Sequence, residues 1–277
     1  SSNFFSKSGF KNKYTILLKN VSSIGKNSIK YKESVQSDLS SAFIFDSMFP
    51  LEKENNQYRE LLTPKISLRF NPTQMKNYKT NSSRLDTSNL FSKNRIGISD
   101  TLEAGRSITV GLDYENKKRN ITNNEHEDFL KLELGTVLRD KKEENIPKNS
   151  TIGRKTSNIF GKFAYKPNDI LDLNYNFSID NDLNTLNYNS IEALVTFNDL
   201  TIKSSFKEEN DIIGSTNLID NEIKYQFNDN SSFLISSRRN RKINLTEYYN
   251  MIYNYENDCL IANVKYRKKY YSDRDIV

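Results

Sequence analysis

Few residues in this sequence combine a reactive side chain with a spacing that supports catalysis or metal binding. His126 is the only histidine of the 277 residues and lies in Asn-Asn-Glu-His-Glu-Asp, with no serine or cysteine nucleophile signature nearby. The chain has no G-x-S-x-G, P-loop or H-E-x-x-H motif. Residues 180–184 are similar to the start of a calcium loop but lack its glycine and its distant bidentate glutamate. We therefore predict no catalytic residue, no metal and no cofactor, and a protein that is not an enzyme.

Cys259 is the only cysteine in the chain, so no internal disulfide can form. The zinc frames built from four cysteines, or from two cysteines and two histidines, are excluded by the same count. A single cysteine in an exported protein indicates a bonding partner elsewhere, outside this stretch of sequence.

The chain is basic, with a formal net charge of +6 and a pI of about 9.1. Two interpretations stay open: a solubilising surface, or attraction to phosphate-bearing partners such as glycolipids or nucleic acids. The basic residues are scattered and form no long block, whereas a nucleic-acid footprint requires clustering. We therefore expect no nucleic-acid partner.

Pairs of asparagine and aspartate recur in the second half of the chain and indicate where its strands end in turns. Asparagine and aspartate tolerate left-handed backbone geometry and bond their own backbone, so an Asn-Asp pair favours a tight turn. Longer polar segments lie between successive pairs, at 181–186, 209–216 and 239–245. Alternating short turns and longer loops are typical of an up-and-down barrel with unequal ends. The pairs are Asn168-Asp169, Asn198-Asp199, Asn228-Asp229 and Asn257-Asp258.

Between these turns, apolar and polar residues alternate with a period of two. That period predicts strands with one dry and one wet face. The hydrophobic fraction of 35% and mean hydropathy of −0.75 are low for a packed core, yet the 12% of aromatic residues argues against disorder. Several strands reach about ten residues, the length of a tilted bilayer crossing. The alternating segments are 129–139, 170–180, 219–227, 246–256 and 260–270.

The first half is less regular, with strands predicted at 13–21, 35–45, 58–70 and 105–115. Two long polar loops, 71–104 and 141–156, separate later strands, and loops of this length are usually functional or disordered. We predict an all-β fold, an antiparallel up-and-down transmembrane β-barrel. The chain would supply about 12–14 strands of a larger barrel. No helix, no apolar run of bilayer length and no domain boundary is indicated, and we expect a fragment or a trimmed mature chain.

Two stretches resemble the LPS-assembly outer-membrane protein family, LptD. Residues 61–72, LLTPKISLRFNP, resemble the family's strand with a Thr-Pro pair, and residues 85–114 resemble its most distinctive segment. Tyr255 to Cys259, followed by Ser272 to Asp275, resembles the alphaproteobacterial branch. The family's pattern is matched at Pro64, Asp86, Asn89, Leu90, Phe91, Asn94, Arg95, Gly97, Asp100, Glu103, Gly105 and Arg106, and further at Gly111, Leu112 and Tyr114.

The resemblance implies an outer-membrane translocon component that inserts lipopolysaccharide into the outer leaflet of the bacterial outer membrane. Residues 1–277 would be the C-terminal part of the barrel, without the N-terminal jelly-roll, the closing strand or most of the gate. Implied partners are lipopolysaccharide, an LptE-like plug lipoprotein and an LptA-like periplasmic bridge protein. Cys259 matches a cysteine that pairs with the N-terminal region in the family. The chain departs from the pattern at Leu260, Ile96, Ile98 and Thr101.

Within that resemblance, four basic residues on predicted wet faces are candidates for contact with sugar phosphates or with the plug: Lys131, Lys224, Arg267 and Lys269. Two alternatives remain open on the sequence. Another outer-membrane barrel, a porin or an importer, shares the alternation but lacks the 85–114 segment. A soluble secreted β-sandwich adhesin would also alternate, with its polar faces outside.

Overall fold

The computed structural model describes residues 2–27, 33–120 and 125–270. The chain is built from strands: β1 (Ser2–Phe5), β2 (Lys11–Ser23), β3 (Gln36–Met48), β4 (Leu51–Glu54), β5 (Tyr58–Asn71), β6 (Gly105–Arg119), β7 (His126–Arg139), β8 (Ile159–Tyr165), β9 (Leu171–Ile179), β10 (Leu186–Phe197), β11 (Leu200–Glu209), β12 (Thr216–Asn228), β13 (Ser231–Asn240), β14 (Leu245–Glu256) and β15 (Ile261–Lys269). One 3-10 turn, Lys148–Ser150, lies in the second long loop. Within these described ranges no helix is long and apolar enough to cross a bilayer.

The strands form an antiparallel sheet in which each strand neighbours the next along the chain. The only departure is the short β4, which pairs beside β5 while β3 also pairs with β5. Fifteen strands are present in the described part of the chain; without the four-residue β1 and β4, thirteen remain, within the predicted range. The predicted all-β, up-and-down fold is confirmed. Residues 272–275 of the family resemblance lie outside the described residues.

The chain divides into two compact units. Unit 1 comprises Ser1–Glu115, Leu132–Gly161 and Ser178–Thr185. Unit 2 comprises Asn116–Lys131, Lys162–Phe177 and Leu186–Val277. The 85–114 segment therefore lies in unit 1, and most of the regular repeat lies in unit 2.

Connections alternate between short and long along the second half of the sheet, as the sequence predicts. Asn168 accepts backbone N–H bonds from Ile170 and Leu171, and Asn257 accepts them from Cys259 and Leu260. Asn198 has a left-handed φ of 49°. We call the end with these turns the short-turn end. The opposite, long-loop end carries residues 72–104 and 140–158.

The strands of unit 1 bury polar side chains and expose apolar ones, which is the reverse of the arrangement in soluble proteins. In β5, Ser67, Arg69 and Asn71 are buried, whereas Leu68 and Phe70 on the opposite face are exposed. In β6, Ser107 and Thr109 are likewise buried while Ile108 and Val110 are exposed. A sheet that buries hydroxyls and shows leucine and phenylalanine to its surroundings is favoured in lipid. We call these the polar face and the apolar face of unit 1.

Unit 2 has the same division, fixed by strand register. Lys203, Glu222 and Ser236 lie opposite one another on adjacent strands and form part of its polar face. The alternate residues form its apolar face, and its large side chains are exposed: Ile191, Phe197, Ile202, Ile223, Tyr225, Tyr249, Met251, Tyr253, Val264 and Tyr266. Lys203 and Glu222 of the polar face are exposed too, so both faces of these strands are open, and the rows that the sequence marked as dry form one of them.

Lysine at position 223 should test which face contacts lipid. Ile223 is 43% exposed on the apolar face of β12, and a lysine near the middle of a lipid-facing band costs about 2–4 kcal/mol. We expect Ile223→Lys to lower the free energy of unfolding in lipid vesicles by that amount. Ser205→Lys is the matched control, because Ser205 lies on the polar face between Glu192 and Asp220. Equal losses for the two variants would contradict the assignment of faces.

Candidate functional site

The two long loops of unit 1 fold together instead of extending into solvent. They share an apolar cluster with the strands beneath them, so the first loop is an ordered element. The cluster comprises Met75, Tyr78, Leu85, Leu90, Ile96, Ala104, Val137, Ile146, Ile152 and Phe160, each no more than 5% exposed. The predicted polar loop 71–104 is thus a packed cap, and we call residues 72–104 the cap loop.

Local hydrogen bonds give the cap loop its shape, and residues of the family pattern make them. Asp86 Oδ1 accepts the backbone N–H of Ser88 at 2.9 Å, and Asn89 Oδ1 accepts that of Asp86 at 3.1 Å. Asn94 Nδ2 donates to the carbonyl of Ile98 at 2.9 Å around Gly97, which has a φ of +70°. These residues therefore shape a loop and leave the contacts with the sheet to their neighbours.

Two glycines let the cap loop approach the sheet closely. A Cβ on Gly135 would lie 2.5 Å from Leu90 Cδ2, and one on Gly111 would lie 2.7 Å from the ring of Phe91. Real Cβ atoms do not come that close, so any larger residue would push the loop away. Leu90 and Phe91 of the family pattern occupy the space that these glycines leave.

A buried ion cluster fastens the end of the cap loop to three strands. Glu103 receives a two-point bond from Arg95, through Nε at 2.6 Å and Nη2 at 2.5 Å. Arg139 Nη1 of β7 lies 2.5 Å from the same carboxylate, and Arg69 Nη1 of β5 lies 3.8 Å from it. Arg95 also bonds Ser107 and Thr109 of β6. The four charged groups hold the cap loop to β5, β6 and β7.

The cluster has more positive than negative charge. Burial alone would raise the pKa of Glu103, but the charges of Arg95, Arg69 and Arg139 and the Arg95 hydrogen bond outweigh it, and the pKa lies well below its usual range. Glu103 is therefore ionised, and three arginines share one carboxylate. The Nε atoms of Arg69 and Arg139 are buried without a hydrogen-bond partner. A surplus of positive charge of this kind favours nearby anions.

Further polar contacts join the cap loop to the rim of the sheet. Thr87 donates to Glu133 of β7 at 2.5 Å, and Lys76 pairs with Asp38 of β3 at 3.1 Å. Lys65 of β5 lies 4.6 Å from the ring centre of Phe91 and pairs with Asp113 of β6. The polar face of unit 1, predicted to be wet, is thus largely covered by protein.

The predicted basic residues are only partly brought together. Lys224 and Arg267 both belong to the polar face of unit 2, and so does Lys269, which pairs in register with Tyr248. Arg267 lies 4.8 Å from the ring centre of Tyr248. The register does not link Lys131 to them; it shares its face of β7 with Glu133 and Arg139 of the same strand.

Ion pairs line the polar face of unit 2 around these residues. Arg238 Nε lies 2.6 Å from Asp220, and Lys203 lies 3.0 Å from Glu192. Both pairs are partly exposed, so each contributes little to stability. Their arrangement gives the face a mixed, solvated character with charged groups of both signs.

Other residues singled out from the sequence belong neither to the buried ion cluster nor to the polar face of unit 2. Pro64 and Arg106 face outward on β5 and β6. Cys259 is exposed in the last short turn and is a free thiol. His126, for which the sequence predicts no catalytic role, is the first residue of β7 and half-buried.

Two members of the ion cluster were not singled out from the sequence. Arg69 follows Lys65 and Ser67 on one face of β5, and Arg139 ends the alternation of β7. Strand alternation assigns them to the polar face, and only the folding of the cap loop brings Glu103 to them. The signal that the sequence offers is an arginine near the end of a strand that is followed by a long loop, as at Arg69 and Arg139.

Comparison with known proteins gives one informative match. The family model described as LptD, LPS transport system D, matches residues 12–231. No curated protein matches the chain. Among solved structures, a double mutant of the Rh. blastica porin is 10% identical over 93% of this chain and 83% of its own, with a TM-score of 0.38. A triple mutant of Rhodopseudomonas blastica porin is 11% identical over 94% and 99%, with a TM-score of 0.29.

Proposed function

We propose, from the premise that this chain belongs to the LptD family of the LPS transport system, that it is the part of an outer-membrane translocon that passes lipopolysaccharide to the outer leaflet. The chain is a protein of the Gram-negative outer membrane. Transfer of a lipid neither makes nor breaks a covalent bond, so the proposed activity is transport and not catalysis.

The observation that carries the proposal is the inverted distribution of side chains. A glycolipid has a charged sugar portion and apolar acyl chains, and a passage for it must offer both environments at once. The polar face of unit 2 offers charged groups of both signs, including Lys203, Lys224 and Arg238. The opposite face offers exposed aliphatic and aromatic side chains such as Ile223 and Tyr225. Sugar would follow the first face while acyl chains stay in lipid.

The basic residues have defined roles in this proposal. Lys224, Arg267 and Lys269 would bind sugar phosphates in turn, because each is exposed and an exposed cation exchanges partners readily. Lys131, half-buried, would contact the plug or the sugar phosphates.

Partners and domain organisation complete the proposal. We place residues 1–277 in the C-terminal part of the barrel domain. An LptE-like lipoprotein would plug it, and an LptA-like bridge would deliver substrate through an N-terminal domain. Cys259 is free and exposed in the short turn, a position from which it could form a disulfide with that domain.

Charge reversal in the full-length protein tests the proposal. A photo-crosslinking residue at position 234, whose register partner on β12 is Lys224, should capture lipopolysaccharide in cells. We expect Lys224→Glu to reduce that capture, since losing one exposed charged contact costs about 1 kcal/mol, or roughly fivefold. Lys242→Glu, in the loop after β13, is the control and should leave capture unchanged.

The outcome also separates the alternatives. If Lys224→Glu captured as much lipopolysaccharide as the parent, the polar face of unit 2 would not be the path of the sugar. High conductance for small solutes without any lipopolysaccharide crosslink would favour a porin or an importer. A chain that stays monodisperse without detergent would favour the soluble adhesin.

A further inference from the structure

An apolar cleft of about 720 Å³ opens on unit 1 at the long-loop end. Its apolar lining comes from neighbouring strands: Phe43 of β3, Leu68 and Phe70 of β5, Ile108 of β6 and Leu138 of β7. All five side chains are exposed on the apolar face. A volume of this size would accommodate an acyl chain, and a cleft on a lipid-facing surface is filled by lipid.

One edge of the cleft is strongly basic. Arg106, at the start of β6, lies 5.4 Å from the ring centre of Phe70 and lines the cleft. Within the part of the chain that the structure describes, Arg106 forms no ion pair. A second cavity of about 670 Å³ shares Arg106, Phe70 and Asp140 with the cleft and adds Lys141 and Lys142, both exposed. Among the described residues Arg106, Lys141 and Lys142 form no ion pair, and they meet at this edge, where Glu143 also lines the second cavity.

The buried ion cluster lies directly behind this edge. Arg69 and Arg139 line the cleft, and each keeps a buried Nε without a partner. Counting these two with Arg95 and Arg106 against Glu103 and Asp140 leaves two positive charges, before the lysines are added. Charges at the edge of an apolar region act through a low dielectric and are felt strongly by an anion.

We propose that this cleft is a binding site for one phosphorylated glycolipid of the outer leaflet, on the outside of the sheet and apart from the polar face that carries the transported sugar. One acyl chain lies along Leu68, Ile108 and Leu138. The phosphate is bound by Arg106 in a two-point contact, with Lys141 and Lys142 as additional cations. The inference rests on the proposed function for its orientation, because the long-loop end must face the cell exterior.

Arg106 belongs to the residues that match the family pattern. In this proposal its role is to bind a phosphate, which differs from the roles of Glu103 and Gly105. Glu103 and Gly105 build the cap loop and its attachment, whereas Arg106 is exposed on the face of β6 opposite Ser107. An arginine exposed toward lipid is costly unless it reaches a phosphate at the interface. Its place at the start of β6, at the long-loop end, gives it that reach.

Lipid binding to the purified full-length protein in detergent tests the site. Native mass spectrometry would compare bis-phosphorylated lipid A, lipid A without phosphates and phosphatidylglycerol. We expect Arg106→Gln to weaken binding of bis-phosphorylated lipid A about tenfold, the effect of one charge-assisted contact, and to leave phosphate-free lipid A unchanged. Arg239→Gln is the matched control, since Arg239 is exposed near the long-loop end of β13 and lines neither cavity.

A second variant tests the apolar part of the cleft without changing any charge. Leu138→Trp fills the cleft and should reduce binding of both forms of lipid A. Heat-modifiable electrophoretic mobility confirms folding of each variant. Parental affinity in both Arg106→Gln and Leu138→Trp would overturn the proposal, as would equal weakening of phosphatidylglycerol and lipid A by Arg106→Gln. If the parent protein gave no lipopolysaccharide crosslink at position 234 while the cleft still bound lipid A, that result would instead count against the proposed transport path alone.

Discussion

Replacing Glu103 with glutamine is expected to lower the free energy of unfolding by about 3–5 kcal/mol, because it leaves buried charge uncompensated. Arg95 and Arg139 each lie 2.5 Å from this carboxylate. The loss should be concentrated where the cluster acts, in the cap loop and the adjoining ends of β5, β6 and β7. Denaturant unfolding in lipid vesicles measures the total, and hydrogen exchange locates it.

A surface glutamate of the second long loop provides the control. Glu144 is exposed, and Glu144→Gln should change stability by no more than about 0.5 kcal/mol. If Glu103→Gln behaved like this control, the cluster would contribute nothing to holding the cap loop. Uniform loss of exchange protection across all strands would likewise contradict a local role.

The same carboxylate predicts a dependence on acid. The pKa of Glu103 is lowered in the folded protein from an ordinary value of 4.5. A lowered folded pKa gives stability that is complete above the unfolded pKa and is lost as pH falls below it toward the folded value. We expect the parent to lose stability more steeply than Glu103→Gln between about pH 5 and pH 3. Parallel curves would show that Glu103 is not ionised in the cluster.

Truncating Leu90 to alanine is expected to cost about 2–5 kcal/mol. Leu90 is 1% exposed in the apolar cluster that the cap loop shares with the strands, and its removal leaves a cavity against Gly135. The cap loop should open locally before the sheet unfolds. Limited trypsin digestion would report this as faster cleavage after Lys76, Lys79, Arg84 or Lys93.

Two comparisons make the Leu90 result specific. Leu260→Ala removes a leucine that is 55% exposed in a short turn, and it should change stability little. Gly135→Ala, whose Cβ would lie 2.5 Å from Leu90 Cδ2, should cost about 1–3 kcal/mol alone and less when combined with Leu90→Ala. Additive costs in the double variant would mean that Leu90 does not fill the space over Gly135.

The strands and turns could be predicted because their causes are local. Period-two alternation in 219–227 and 246–256 fixes which residues share a face, and Asn168 and Asn257 close their turns with their own backbone neighbours. Strand length and composition then favoured a membrane over a soluble sandwich. The 85–114 segment carried the family, which a model matching residues 12–231 shows independently.

The sequence by itself determined the two-faced strands, their turns and the family, since each depends on residues near one another in the chain. Only the tertiary structure decided what covers the polar face of unit 1, because Glu103 reaches Arg69 and Arg139 across 34 and 36 residues. The long polar loop became a packed cap because its sparse apolar residues find partners on β7 and β8, Val137 and Phe160. No local pattern encodes such meetings, and the basic edge of the apolar cleft depends on them.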